Sequence, residues 1–149
     1  MEIIRATKAE LSGIMEIERD SFSIPWSESG MLFEIESGDA FVGAATENGD
    51  VIGFVILHRF GDEGEIFNIA VRDGHRKNGI GTALMKAALS DARENKLSSV
   101  YLEVRESNKT AYDMYIKCGF SELAVRKNYY DAPKENAIIM VTDSQTLQI

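Results

Sequence analysis

The segment spanning residues 65–85 most constrains the fold of this 149-residue chain. It reads as a buried strand over 65–71, a polar turn, and then a helix opened by two glycines, Gly79 and Gly81. A helix start carries about four unpaired N–H groups and a partial positive charge, and glycine leaves room for a ligand beside the backbone. The segment therefore predicts a binding site for a nucleotide-like diphosphate.

The same loop lacks the marks of two common nucleotide-binding motifs. A P-loop continues with Gly-Lys-Ser/Thr, whereas Gly79 is followed by Ile80 and Gly81. A dinucleotide-binding fingerprint has a third glycine three residues after the second, where this chain has Leu84. We therefore expect neither phosphoryl transfer through a P-loop nor a nicotinamide or flavin cofactor.

Composition and charge narrow the class of protein. With 44% hydrophobic residues, the chain suits a single domain over 1–149 with a sizeable core. Sixteen basic and 24 acidic residues give a net charge of −8, which disfavours direct binding of nucleic acid and favours a basic partner. His58 and His75 stand apart without metal-binding spacing, so no metal is expected.

The start of the chain and its cysteine content bear on location. Cys118 is the single cysteine, which allows no intrachain disulfide. The sequence shows neither a signal-peptide-like start nor an apolar run long enough to cross a membrane. We expect a cytoplasmic protein without a membrane partner, as a monomer or weak dimer.

Hydrophobic periodicity predicts a mixed α/β fold. The Asn-Gly pair within 47–50 is a strong hairpin signal, and the strand–helix–strand order over 65–104 implies one parallel pair joined by a crossover helix. A ligand is then expected at the carboxyl ends of the parallel strands. Strands are expected at 2–6, 40–46, 51–60, 65–71, 99–104, 121–130 and 137–142. A turn is expected at 61–64, between the third and fourth strands. Helices are expected at 8–20, 27–37, 79–95 and 107–118, with Ser27 and Ser107 as N-caps and Gly119 ending the last.

Two residues in the next segment carry possible chemistry. Glu103 alternates along its strand with apolar neighbours, so its carboxylate points to the face opposite Leu102 and Val104. Spacing alone favours a surface carboxylate paired with a cation over a catalytic one. Spacing alone likewise favours Tyr115 as a core aromatic of its helix.

Several motifs together resemble the GNAT superfamily of N-acetyltransferases. They are Asn68-Ile-Ala-Val71, Arg76-x-x-Gly79-x-Gly81, and the pattern Leu102-Glu-Val-Arg-x-Ser-Asn108 followed by Ala111, Tyr115, Gly119 and Phe120. The blocks at 22–27 and 129–140 are similar to acceptor-side segments of the RimI group, the ribosomal-protein-alanine N-acetyltransferases. The resemblance implies a GNAT-type α/β fold, with a mostly antiparallel central sheet, a parallel splayed junction and about four flanking helices. It also implies direct transfer of acetyl from acetyl-CoA to an amine.

The resemblance implies a role for each residue at a matching position. Glu103 matches the general base that deprotonates the acceptor amine, and Tyr115 matches the general acid that returns a proton to the departing thiolate. Trp26, Tyr129 and Tyr130 either form an aromatic slot for a small first residue of the acceptor or pack at the sheet edge. The implied acetyl-CoA site comprises Ile69, Ala70 and Val71 along the pantetheine, Arg76, Lys77, Asn78, Gly79, Ile80, Gly81 and Thr82 around the pyrophosphate, and Asn108, which binds pantetheine or satisfies its own helix end.

Three functions remain open at this point. The first is acetylation of the N-terminal alanine of protein eighteen of the small ribosomal subunit, whose basic chain suits an acidic enzyme; Glu34, Glu36, Asp39 and Asp62 would attract it. The second is a GNAT enzyme with broader N-terminal specificity or a small-molecule amine as acceptor. The third is a CoA-sensing module without transfer, which the retention of Glu103 and Tyr115 disfavours.

Overall fold

The structure is a computed structural model that describes residues 1–142 and 146–147. Within that part of the chain, seven strands form one sheet and four α-helices cover its two faces. The strands are β1 Glu2–Arg5, β2 Ala40–Glu47, β3 Asp50–Phe60, β4 Glu63–Val71, β5 Ser99–Arg105, β6 Phe120–Asp131 and β7 Lys134–Thr142. The helices are α1 Leu11–Ser21, α2 Glu28–Glu36, α3 Ile80–Glu94 and α4 Lys109–Lys117, with a 3₁₀ turn at Lys8–Glu10 before α1.

The sheet is mostly antiparallel, as the sequence predicts. Its strand order is β1-β2-β3-β4-β5-β7-β6, and β4 with β5 is the single parallel pair among the described strands. The β2–β3 hairpin turns at Asn48 and Gly49, whose φ angles of 53° and 86° are both left-handed. Such a turn follows the twist of the strands it joins, which is why the Asn-Gly pair predicted it.

The parallel pair separates soon after it starts. Only three residue pairs join β4 to β5, from Glu63–Ser99 to Glu65–Tyr101. On its other side β4 slips register against β3, where Ile56 pairs with Asn68 and Leu57 pairs with Ile66. Phe67 is therefore an extra residue, and such a β-bulge bends its strand. The far end of β4 thus diverges from β5, which confirms the predicted splayed junction.

Each face of the sheet has its own hydrophobic core. Helix α3 buries Leu84, Met85 and Ala88 completely against one face, where α4 also packs. Helix α1 buries Ile14 and Ile17 against the opposite face beside α2. Residues of β4 pack into both cores, so both faces of the strand that carries the bulge are covered.

Several predicted boundaries were wrong for reasons that lie outside local sequence. Asn108, not Ser107, caps α4: its Oδ1 accepts a hydrogen bond from the N–H of Ala111 at 3.2 Å. The N–H of Ser107 instead donates to Oε2 of Glu135 at 2.7 Å, across 28 residues of sequence. Strand β4 begins at Glu63 because Gly64 pairs with Arg59 in the ladder, and β7 begins at Lys134.

One of the acidic residues that were predicted to attract a basic acceptor is in fact buried. Glu34 is 3% exposed, and its Oε1 lies 2.7 Å from Nδ1 of His58. The His58 ring stacks on Phe67 with the ring centroids 5.3 Å apart. Glu34 therefore connects α2 to β3 and does not offer a charge to a passing peptide.

Candidate active site

A cavity of about 370 Å³ opens where β4 and β5 diverge. Ile69 lines it from β4, Glu103 from β5, and Asn108 and Tyr115 from the start and body of α4. The remaining lining consists of Ser21 at the end of α1, Phe22, Ser23 and Ile24 from the α1–α2 connection, and Tyr129, Tyr130 and Asp131 from β6. The fold thus brings Glu103, Tyr115, Asn108 and the tyrosine pair to one place.

Glu103 is half-buried in the cavity wall. Among the described residues, no side chain forms a hydrogen bond or ion pair with its carboxylate. Burial raises the pKa of Glu103, and the positive charge of Arg126 opposes that rise. The Arg126 guanidinium lies over the Tyr129 ring, 5.2 Å from its centroid. The carboxylate is therefore half-buried near a cation, without a direct partner among the described residues, and it is available to a ligand.

Tyr115 belongs to both the core and the cavity. Its side chain is 6% exposed, and its ring meets Phe120 edge-on with centroids 6.0 Å apart. The ring also forms part of the cavity wall. Burial, with smaller contributions from Tyr130 and Cys118, raises the pKa of Tyr115 well above that of a free phenol. The phenol therefore stays protonated over the whole physiological range.

A second half-buried carboxylate, Glu65, stands near Glu103. The parallel register places Glu65 beside Tyr101, two residues before Glu103 on β5, so both carboxylates lie on one face of the sheet. Burial and the charge of Glu103 raise the pKa of Glu65. The sequence signal for this residue was its alternation with Gly64 and Ile66, but only the pairing of the strands shows that the two carboxylates are neighbours. Together they favour a cationic ligand.

The β6–β7 end of the cavity is braced from β5. The Arg105 guanidinium lies 4.2 Å from the centroid of the Tyr130 ring and donates to the carbonyl of Pro133 at 2.9 Å. Glu135 accepts from Arg105 at 3.3 Å and from the N–H of Ser107, and these hydrogen bonds lower the pKa of Glu135. Burial and the nearby Glu103 raise the pKa of Tyr130 to about 12. Tyr130 is thus a fixed, neutral wall.

Trp26 lies behind the cavity wall. Its ring packs against Phe67, with the centroids 5.7 Å apart, and Phe67 lines the cavity. The proposed aromatic slot therefore consists of Tyr129 and Tyr130 directly, with Trp26 supporting the bulged strand opposite them. Phe67, Asn68 and residues 21–24 also line the cavity and were missed as individual site residues, although 22–24 fall within a block that resembles an acceptor segment.

The loop after β4 is shaped to expose backbone donors. Lys77 and Gly79 have left-handed φ angles of 67° and 78°. The first α-helical hydrogen bond of α3 runs from the N–H of Ala83 to the carbonyl of Gly79 at 3.0 Å. The N–H groups of Ile80, Gly81 and Thr82 therefore have no helical partner, and no side chain in the described part of the chain caps this helix. This arrangement suits a phosphate.

Four residues of this loop and of the start of α3 differ in what they contribute. Nε of Arg76 donates to the carbonyl of Val71 at 3.1 Å, which holds the loop against the end of β4. Lys77 and Asn78 are exposed beside the start of α3. A Cβ at Gly81 would lie 3.0 Å from Sδ of Met114, so this glycine also permits α3 and α4 to approach each other.

Replacement of Gly79 by alanine tests the loop. No atom lies within 4 Å of a Cβ at this position, so the cost comes from the left-handed backbone and not from a clash. We expect Gly79→Ala to destabilise the fold by about 1–2 kcal/mol and to weaken acetyl-CoA binding roughly tenfold in calorimetry. Gly38→Ala, at an exposed turn without a positive φ or a nearby atom, is the matched control. Equal affinities of the two variants would contradict the loop's role.

Comparison with protein families decides the class of this fold. Residues 11–120, more than half of the chain, match the model of the Acetyltransferase (GNAT) family. The chain belongs to the GNAT family. Its mixed sheet with one short parallel pair is thus a GNAT-type fold.

Individual relatives within the GNAT family narrow the comparison. The [ribosomal protein bS18]-alanine N-acetyltransferase of Haemophilus influenzae is 35% identical over 145 residues, covering 94% of this chain and 97% of the relative. The crystal structure of the ribosomal-protein-S18-alanine N-acetyltransferase from Escherichia coli superposes with a TM-score of 0.87 at 30% identity, covering 96% and 93% of the two chains. The structure of Arabidopsis thaliana NAA60 in complex with acetyl-CoA has a TM-score of 0.83 at 19% identity, covering 94% and 96%, and shows the shared fold.

These comparisons confirm the GNAT-type fold and the assignment as an acyltransferase enzyme. The individual roles of Glu103, Tyr115 and the acetyl-CoA-binding residues stay predictions. Within the described residues, no three histidine, cysteine, aspartate or glutamate side chains are grouped to hold a metal ion. In the same part of the chain no helix has the length and apolar character needed to cross a membrane.

Proposed function

We propose that this GNAT enzyme transfers acetyl from acetyl-CoA to the α-amino group of a protein N-terminus, with the N-terminal alanine of ribosomal protein bS18 as its acceptor. The proposal rests chiefly on one observation: Glu103 and Tyr115 line a single cavity, at the divergence of β4 and β5. Similarity to bS18-alanine N-acetyltransferases supports the choice of acceptor. We accordingly expect the enzyme to work in the cytoplasm, where ribosomal proteins are made.

The donor site is proposed to run along β4 into the loop before α3. Beyond Glu65 the edge of β4 that faces β5 has no partner among the described strands, so backbone groups of Ile69, Ala70 and Val71 are available to amides of pantetheine. The free N–H groups at Ile80–Thr82 then suit the pyrophosphate, with charge from Arg76 and Lys77 nearby. Asn108 lines the cavity while capping α4, so its carbonyl oxygen is already engaged with Ala111.

Glu103 is proposed to act as the general base. An N-terminal ammonium has a pKa of about 7.7–8.0 and must lose a proton before its nitrogen can attack a thioester. A half-buried carboxylate with a raised pKa accepts that proton more readily than an exposed one. Glu65 beside it strengthens the attraction of the site for the ammonium before the proton is lost.

Tyr115 is proposed to protonate the departing thiolate. A free phenol has a pKa near 10 and a thiol near 8.5, so this transfer costs only about 2 kcal/mol when both groups are in water. Burial raises the pKa of Tyr115, and a thiolate expelled into the same buried wall is destabilised for the same reason. The two shifts act in the same direction, so they oppose each other in the free energy of the proton transfer.

A small amine with two positive charges is the second candidate acceptor. The observation that favours it is the pairing of Glu65 with Glu103 on one face, since two carboxylates match the two ammonium groups of a polyamine. Tyr129 and Tyr130 favour a peptide N-terminus instead. Arg105 holds the Tyr130 ring in place, and a slot beside these two rings suits an extended chain with a small first residue.

A panel of acceptors tests the proposed function. Thiol release from acetyl-CoA would be followed with a basic peptide beginning with alanine, its N-terminally blocked twin, a methionine-initiated twin and spermidine. We expect turnover of the free alanine peptide alone, with the acetyl group located on its α-nitrogen by mass spectrometry. Turnover of spermidine alone would establish the small-amine reaction, and binding of acetyl-CoA without any turnover would indicate a sensing module.

A further inference from the structure

A carboxylate with no access to solvent lies directly behind the acceptor side of the cavity. Glu18, on α1, is 0% exposed. Its Oε1 accepts a hydrogen bond from Nδ2 of Asn68 at 2.7 Å, and its Oε2 accepts one from the N–H of Trp26 at 2.9 Å. No arginine, lysine or histidine forms an ion pair with it among the described residues. Removing a carboxylate from water costs several kcal/mol unless its oxygens are satisfied, and here neutral N–H donors alone satisfy them.

The two hydrogen bonds join three separate elements of the fold. Glu18 extends from α1, Asn68 follows the bulge residue Phe67 on β4, and Trp26 lies in the α1–α2 connection. The Trp26 ring also packs on Phe67, so Trp26 attaches the α1–α2 connection both to Glu18 of α1 and to the bulge of β4. Between Glu18 and Trp26 the chain runs through residues 21–24, which form one wall of the cavity. The position of that wall therefore depends on Glu18.

The tyrosine part of the cavity lining has contacts of its own. Tyr130 is held by Arg105, and the hydroxyl of Ser23 donates to the carbonyl of Ala132, which joins the two walls at the cavity mouth. With one wall fixed, the distance to the other sets the width of the slot. Asn68 itself lines the cavity, so the hydrogen bond that it donates to Glu18 connects Glu18 to the cavity lining.

We propose that Glu18 is a positioning residue for the acceptor: its buried carboxylate holds the α1–α2 connection against the bulge of β4 and thereby sets the width of the slot that selects a small first residue. The inference rests on the proposed function for the identity of the acceptor. Glu18 lies outside the cavity wall and touches none of the reacting atoms, so its effect is on acceptor binding and selectivity.

Substitution by glutamine changes the hydrogen bonds with little change in shape. Glutamine has one acceptor oxygen and one donor amide, so one of the two N–H groups then faces another donor. We expect Glu18→Gln to raise the acceptor KM roughly tenfold while the acetyl-CoA KM is unchanged, and to reduce the preference for alanine over leucine as the first residue. Trp26 is the single tryptophan of the chain, so its fluorescence should shift to the red and become more accessible to acrylamide.

A second substitution restores the pattern of donors and acceptors. In Glu18→Gln/Asn68→Asp, the glutamine oxygen still accepts from the N–H of Trp26, and the glutamine amide donates to the new carboxylate at position 68. The net charge matches that of the unaltered chain. We expect this double variant to recover most of the quenching protection of Trp26 and most of the selectivity for alanine, which a nonspecific loss of stability would not allow.

Glu16→Gln is the matched control. Glu16 lies on the same helix with a side chain 57% exposed and pairs with Arg72 at 3.2 Å on the surface. We expect it to change neither KM nor quenching. An unchanged acceptor KM and unchanged quenching in Glu18→Gln would overturn the proposal, as would an equal rise in the acetyl-CoA KM or failure of the double variant to recover. If Glu18→Gln does not fold, the double variant decides. Acrylamide quenching of Trp26 like that of the unaltered chain supports the positioning role of Glu18, and an unfolded double variant refutes it.

The quenching measurement does not depend on turnover. If the unaltered chain acetylates no peptide, the proposed function fails, while protection of Trp26 by Glu18 is still measured. If peptides are acetylated and Glu18→Gln behaves as the unaltered chain does, the inference about Glu18 fails alone.

Discussion

Glu103→Gln should lower turnover at pH 7 by roughly 10²- to 10⁴-fold, the range found when a general base is removed. Glutamine keeps the shape of the side chain but cannot accept the proton of the acceptor ammonium. The donor site along β4 and the start of α3 lies on other elements, so we expect the affinity for acetyl-CoA, measured by calorimetry, to stay within about twofold. Glu47→Gln, an exposed carboxylate at the end of β2, is the control and should behave as the unaltered enzyme.

The pH dependence gives this variant a sharper signature. Glu103 works as a base only when ionised, and burial raises its pKa, so in the unaltered enzyme kcat/KM should fall as pH drops through that raised value. The variant lacks this group, and its rate should follow the acceptor ammonium alone, with a pKa of about 7.7–8.0. The loss of activity is therefore greatest near neutral pH and smaller above pH 9. A loss of equal size at every pH would refute the role of Glu103 as a base.

Tyr115→Phe should lower kcat by roughly 10²-fold with little change in either KM. Phenylalanine retains the ring and its edge-on contact with Phe120, so the melting temperature should fall only slightly. Because burial raises the pKa of Tyr115, the unaltered enzyme should show no decline in rate from loss of this proton up to about pH 10.

Tyr112→Phe is the matched control for this experiment. Tyr112 lies on the same helix, and its hydroxyl donates to Glu122 at 3.1 Å on the protein surface, away from the cavity. It should leave kcat unchanged. If Tyr115→Phe also leaves kcat unchanged, Tyr115 is a core aromatic, as spacing alone indicates, and another group or water supplies the proton.

Local chemistry explains which parts of the fold were predictable from sequence. The Asn48–Gly49 turn, the apolar alternation of the strands and the glycine before α3 each act on their immediate neighbours, so each could be read directly. The N-cap of α4 could not be predicted in this way, because Glu135, on the distant strand β7, accepts a hydrogen bond from the N–H of Ser107. Both serine and asparagine cap helices well, so local preference did not separate them.

The site divides in the same way. Glu103 and Tyr115 were found through a motif, but their shared cavity depends on the divergence of two strands that the whole of α3 separates in sequence. Glu65 looked like an ordinary alternating carboxylate until the parallel register placed it near Glu103. Glu34 was predicted to attract a basic acceptor, and only the packing of α2 shows that it is buried, as the packing of α1 shows for Glu18.

The brevity of the parallel pair has a mechanical consequence. Three residue pairs are the whole connection by strand pairing between a four-stranded leaf, β1 to β4, and a three-stranded leaf, β5 to β7. Glu103 and Tyr115 lie on the side of the three-stranded leaf. The edge of β4 that is proposed to hold acetyl-CoA belongs to the four-stranded leaf. An acetyl donor bound in this gap would bridge the two halves of the sheet where strand pairing is missing. Binding of the donor would then also align the reacting groups.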